Sequence, residues 1–200
     1  VICLARNEKG EIVRSAGNGH DNGDMGSGYW MGRQAIINLS LNESSVIGDA
    51  DLEEIMNIFL DINKENDFAE ALRKIQAHQD YIRMIAALTN SLIELAENGN
   101  NVALSIIQEA SHSIADYIIS VVEKLEFDED NIVLAGNGSV IRNDFFRRSL
   151  NEELRFQFPD IKWTFSTISA AYGSALIALR LKNIDISINN IIKGNALAPT

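Results

Sequence analysis

Residues 131–146 read NIVLAGNGSVIRNDFF, an apolar run that breaks at Gly136-Asn137-Gly138-Ser139 and resumes with helical spacing near Asn143 or Asp144. The run is short and closed by a glycine turn, so it predicts a buried strand over 131–136 and a helix over 144–158. A second strand, IKWTF at 161–165, leads through small residues into a helix from about Ala170 to Lys182. Strand, helix, strand, helix predicts a parallel α/β layer with the right-handed crossover that such units adopt. In open α/β sheets ligands sit beyond the carboxyl ends of strands, where a glycine turn exposes backbone N–H groups to phosphate or ribose. The same turn also serves simply to reverse the chain and cap the next helix. It is neither a Walker A loop, lacking Gly-Lys-Ser/Thr, nor a G-x-G-x-x-G dinucleotide fingerprint.

Upstream, VICLAR and EIVRSA alternate as two strands joined by Asn7-Glu8-Lys9-Gly10, which predicts a hairpin over 1–16. A glycine-dense stretch follows, GNGHDNGDMGSG at 17–28, and feeds a helix over about 29–41. Glycines let a backbone approach a ligand closely at positive φ, and a short carboxylate among them, Asp24, can accept hydrogen bonds from hydroxyl groups. The alternative is a tight hairpin-to-helix connection in which Asp24 or Ser27 caps the helix. The middle of the chain, about 49–125, has helical periodicity throughout: 49–62, 68–77, 81–96 and 102–125, with Asn98-Gly99-Asn100 as a stop. Ile106, Ile107, Ala110, Ile114, Ile118, Val121 and Leu125 form a stripe of core packing.

The chain has 200 residues, 46% of them hydrophobic, enough for one good core. Its formal net charge of -11 argues against binding nucleic acid through bulk electrostatics. No window approaches the roughly 18 apolar residues of a membrane span, so no membrane partner is expected and the protein reads as cytoplasmic. Cys3 is the single cysteine and reads as a small buried hydrophobe. His20, His78 and His112 lack metal-ligand spacing, so no metal site is expected. A third small-residue motif, SAAYGSALIAL at 169–179, is explained by close helix–sheet packing around Gly173. The chain opens inside a strand pattern, with no initial methionine and no leading loop, as expected of a piece of a longer polypeptide. The last stretch, IDISINNIIKGN at 184–195, has no clear assignment.

Taken in order, the three motifs resemble the BadF/BadG/BcrA/BcrD ATPase family, which includes N-acetylglucosamine kinase and related sugar kinases. The counterparts here are GNG at 17–19, GDMGSGYWMGRQA at 23–35, GNGSVIRN at 136–143 and GSALIA at 173–178. The resemblance implies an α/β fold, a ribonuclease H-like (actin-like ATPase) lobe with a largely helical middle insertion. It makes residues 1–200 the C-terminal lobe of such an enzyme, with the N-terminal lobe absent. It places Gly17, Asn18, Gly19 and Asp24 at the sugar. Gly136, Gly138, Ser139, Val140, Ile141, Arg142 and Asn143 fall where the family contacts ATP, and Ala86 and Ala87 fall on the helix facing adenine. Asn18 and Met25 depart from the usual tryptophan and acid, which leaves the sugar's identity open.

The implied function is ATP-dependent phosphorylation of a sugar or sugar acid, with Mg²⁺ and a homodimer as the family's usual accompaniments. N-acetylglucosamine, glucosamine, a hexose and 2-keto-3-deoxygluconate are the substrates in view. The family's D-G-G-G-T phosphate loop and its catalytic aspartate have no counterpart in this sequence, so no catalytic residue is assigned and the isolated chain is expected to be inactive. Two alternatives stand: an ATPase activator of a 2-hydroxyacyl-CoA dehydratase or benzoyl-CoA reductase type system, and a non-catalytic interaction module.

Overall fold

Asn7 closes the first turn three ways: its carbonyl accepts from Gly10 N (3.0 Å), its Oδ1 from Glu11 N (3.0 Å), and its own N–H donates to Glu11 O (3.1 Å). In the computed structural model, which describes residues 1–22, 24–42, 46, 48–125, 132–166 and 169–183, this turn joins the antiparallel strands Ile2–Arg6 (β1) and Ile12–Ala16 (β2). The register pairs Ile2 with Ala16, Leu4 with Arg14 and Arg6 with Ile12. The expected hairpin is therefore present. Period-2 alternation leaves Ile2, Leu4 and Ile12 exposed and turns Cys3, Ala5 and Val13 to the less exposed face.

The chain divides into two compact units, one of residues 1–134 and 138–162, the other of 135–137 and 163 onward. The first unit is mostly helical. Gly28–Leu41 (α1) starts where Ser27 Oγ accepts from Trp30 N at 3.1 Å, and Ala50–Asn63 (α2) starts where Asp49 Oδ1 accepts from Asp51 N and Leu52 N. Phe68–Ala77 (α3) is capped by Asp67 in the same way. The longest helix, Asn101–Leu125 (α6), follows Gly99 at φ +97° and begins with Asn100 Oδ1 accepting from Ala103 N. Met31, Ala35, Leu39, Ile55, Phe59, Ile75, Leu92, Ile107 and Phe146 form the heart of one apolar core between these helices.

Residues 81–96, expected as one helix, form two: Tyr81–Ala86 (α4) and Thr89–Glu97 (α5). At the joint Leu88 N reaches back only three residues, to Ile85 O at 3.2 Å. The cause is a close crossing with α1. A Cβ on Gly32 would fall 2.1 Å from Ile85 O, and Thr89 Oγ1 donates to Gly28 O at 2.8 Å. Side-chain periodicity is blind to such backbone contact, so the break was not legible as a break.

After α6 comes Val133–Gly136 (β3), then a four-residue helix, Ser139–Arg142 (α7), where the sequence suggested only a turn. Asp144–Leu154 (α8) is capped by Asn143 Oδ1, which accepts from Phe146 N at 3.1 Å, and it buries Phe146, Leu150 and Leu154. It ends before Phe158; residues 155–158 continue as a turn closed by Phe158 N donating to Leu154 O. Lys162–Phe165 (β4) pairs with β3 in a two-stranded sheet.

In the second unit, Trp163 and Phe165 stack with rings 12° apart, and Gly136 leaves room for the Phe165 ring, 2.5 Å from where a Cβ would stand. Ala170–Leu181 (α9) follows. A Cβ on Gly173 would meet nothing within 4 Å, and Ile177 and Leu181 are exposed. Among the described residues nothing packs closely on Gly173, so the expected helix–sheet contact is not found there. The unassigned 184–195 stretch and Asn131 lie outside the described residues. Among the described residues the architecture is α/β, dominated by helices, with two small sheets.

Candidate functional site

The loop between β2 and α1 is shaped by backbone that only glycine adopts cheaply. Gly17, Gly19 and Gly26 take φ of +77°, +90° and +78°. Arg14 fastens the loop's first turn, its Nε donating to Ala16 O at 3.1 Å and its Nη2 to Gly17 O. Asn18 O accepts from Asn22 Nδ2, and Gly19 O accepts from Asn22 N at 3.1 Å, so residues 18–22 fold back on themselves. Gly26 is buried against α6: a Cβ there would fall 2.6 Å from Ile114 Cγ1.

Asp24 sits in this loop with a side chain only 19% exposed. Its backbone carbonyl accepts from Ser27 N, and its Oδ2 lies 3.4 Å from the Val1 nitrogen. Its other carboxylate oxygen, Oδ1, is buried with no hydrogen-bond partner among the described residues. A buried carboxylate oxygen left unpaired carries a desolvation cost that a bound hydroxyl or N–H donor would relieve. The expectation that Asp24 or Ser27 caps α1 is met by Ser27, which leaves the Asp24 carboxylate out of the capping role.

Three tyrosines, Tyr29, Tyr81 and Tyr117, lie at this loop, and none stands out from the sequence as a site residue. Burial pushes the Tyr117 phenol up; a hydrogen bond with the Met25 backbone opposes this, and the charges of Asp24 and Asp116 add to it. Tyr117 continues the α6 row through Ala110 and Ile114, and i, i+4, i+7 spacing is the signal that could have found it. On the other side His20 Nε2 and Tyr81 Oη are hydrogen-bonded at 2.9 Å. Tyr29 completes the group, its ring 5.3 Å from His20 and 6.3 Å from Tyr81, both edge-on. Burial raises the Tyr29 phenol too, followed by the nearby Tyr81.

The second motif falls in both units. Gly136 belongs to the second, where it accommodates Phe165. Gly138–Asn143 belong to the first. Gly138 takes φ +117°, ψ 160°, a region reserved for glycine, and Ser139 and Arg142 are exposed. Val140 and Ile141 pack on the apolar core, which leaves their backbone rather than their side chains to meet a ligand. Arg147, unremarked in the sequence, donates from Nη1 to Ile141 O and Arg142 O at 3.3 and 3.2 Å and so holds the end of α7. Asn143 Oδ1 is engaged in capping α8. Of the two residues expected to face adenine, Ala86 ends α4 beside Gly28 and Ala87 is exposed.

The described residues therefore bring the loop at Asp24–Gly26 against Ala110, Ile114 and Tyr117 of α6, and His20 to Tyr29 and Tyr81. The profile of the BadF/BadG/BcrA/BcrD ATPase family matches residues 2–178. The chain is similar to the N-acetylmuramic acid/N-acetylglucosamine kinase of Clostridium acetobutylicum, 30% identical over 192 residues, covering 88% of this chain and 57% of that protein. It is also similar to the N-acetyl-D-glucosamine kinase of Dictyostelium discoideum, 27% identical over 186 residues, covering 90% of this chain and 57% of that protein. The chain thus spans little more than half the length of these two relatives.

Proposed function

The chain belongs to the BadF/BadG/BcrA/BcrD ATPase family, and from that premise we propose that it forms part of an ATP-dependent kinase for a sugar or sugar acid. The observation that carries the reading is the buried Oδ1 of Asp24, without a hydrogen-bond partner among the described residues, in a loop bent by positive-φ glycines. Both relatives act, by their names, on amino sugars, which puts N-acetylglucosamine and N-acetylmuramic acid first among the candidates, with glucosamine, hexoses and 2-keto-3-deoxygluconate behind them.

In this proposal Asp24 accepts hydrogen bonds from ring hydroxyls and fixes the sugar's orientation. The main chain at Gly17, Asn18 and Gly19 supplies the adjoining wall. The exposed turn Gly138–Ser139 and the main chain of Val140–Asn143 are assigned to the nucleotide, with Ala86 and Ala87 assigned to its base; the Asn143 N–H is already engaged by Val140 O at 3.0 Å, so the donors fall to the residues before it. Such positioning is what phosphoryl transfer requires of a protein, since the reaction makes few covalent demands on it. Mg²⁺ neutralises triphosphate charge in such reactions and is expected to arrive with ATP. Among the described residues no three His, Cys, Asp or Glu side chains gather into a cation site. The base that takes the hydroxyl proton is assigned to the part of the protein that these 200 residues do not include. The lobe assignment, an actin-like ATPase half with its helical region over 49–125, belongs to the same proposal.

A coupled ADP-release assay on the full-length protein, run with ATP against the amino sugars, glucose and 2-keto-3-deoxygluconate, tests it. Sugar-dependent ADP release is expected with at least one amino sugar. ADP release indifferent to every sugar would overturn the kinase reading. The 200-residue chain alone is expected to show none; turnover by it would place the base within this sequence.

A further inference from the structure

The hydrogen bond between His20 and Tyr81 spans 61 residues of sequence and ties the glycine loop to the first turn of α4. His20 is only about one-third exposed, 32%, although it lies in a loop, and Asp21 Oδ2 is 3.4 Å from the same Nε2. The imidazole is also walled edge-on by Tyr29, in the first turn of α1. Three elements therefore converge on one ring: the loop, α1 and α4. Among the described residues, the other hydrogen bonds that hold the loop around His20 are the short-range turns at Asn18–Asn22 and the Arg14 fastening. Segments with glycines at φ +77° and +90° lose much conformational freedom when ordered. If that ordering is complete before a ligand arrives, it does not subtract from ligand affinity.

We propose that the His20–Tyr81 hydrogen bond is a latch that holds residues 17–22 in their ligand-ready shape, making Tyr81 a positioning residue that acts on the sugar through the loop. The inference rests on the sugar-kinase reading above for its ligand, but the latch itself is a property of the loop. Tyr29 serves as the rigid backing that keeps the imidazole turned toward Tyr81.

The test uses Tyr81→Phe, which removes the hydroxyl and keeps the ring, with His20→Gln as a second variant that retains a polar side chain. In the full-length protein Tyr81→Phe is expected to raise the KM for the sugar about 3- to 10-fold, the effect of one lost hydrogen bond, with the KM for ATP unchanged. The double variant is expected to be no worse than the more damaging single one, since both remove the same bond. An unchanged sugar KM, or equal changes in both KM values, would overturn the latch. Hydrogen exchange of the amides of residues 17–22 gives a readout independent of activity. Faster exchange in Tyr81→Phe supports the latch, and unchanged exchange refutes it, whether or not the protein phosphorylates a sugar. Failure of wild-type turnover with normal loop exchange effects would instead strike the kinase reading alone.

Discussion

Gly26 lies so close to α6 that a Cβ on it would stand 2.7 Å from the Ala110 carbonyl oxygen. The contact joins the loop bearing Asp24 to α6, the longest described helix, and it is backbone against backbone, so neither partner can swing aside. Gly26 also sits at φ +78°, where an L side chain is strained irrespective of space. Gly26→Ala is therefore expected to cost about 2–4 kcal/mol, combining backbone strain with overpacking. Urea unfolding measures it: a lowered midpoint at constant m-value is the expected result, and a midpoint equal to wild type would mean the loop does not rest on α6.

Asp24→Asn keeps the shape of the side chain and removes its charge. The expected loss of sugar affinity is about 1.5–3 kcal/mol, the range for a hydrogen bond to a charged group. Calorimetric titration of the full-length protein with sugar reads this directly. Equal affinity in the two proteins would remove Asp24 from the site.

Asn100 is 3% exposed and stitches α2 to α6, its Nδ2 donating to Asp51 O and Glu54 Oε2, both at 2.9 Å, while its Oδ1 caps α6. Asn100→Ala leaves the Ala103 N–H and the Asp51 carbonyl without these partners, so a destabilisation of about 2–3 kcal/mol is expected. Asn100→Ser should recover the cap but not the two donations. Thermal melts of the three proteins order them wild type, Ser, Ala if the network acts as described.

His112 on α6 reaches α8, with Nδ1 2.9 Å from Glu153 Oε2, and lies 3.8 Å from Asp116. The hydrogen bond to Glu153 and the Asp116 charge raise its pKa. A raised folded-state value means the added stability is fully present below the unfolded value of about 6.5 and is lost as pH rises through the folded one. The group is well exposed, so the effect is small. Melting temperatures of wild type and Glu153→Gln should differ most at low pH within the range where both stay folded. They should converge above the His112 titration; a gap that widens with pH would contradict this assignment.

The helices were legible because amphipathic spacing and caps are local: Ser27, Asp49, Asp67 and Asn143 each bond an N–H within three residues. The two glycine turns were legible for the same reason, since positive φ at Gly17, Gly26 and Gly138 is a demand that one residue type meets. The order of those turns along the chain carried the family. Local chemistry along the chain thus set which segments are helix, which are strand, and where the backbone must bend. Which residues meet across long separations was left to the packing in three dimensions. The break between α4 and α5 arises from Gly32 against Ile85, the latch from His20 and Tyr81, and the setting of Asp24 from α6. A local window records each side chain's preference relative to its own axis. Contacts between distant elements depend on how whole faces pack, and that is set only when the core closes around them.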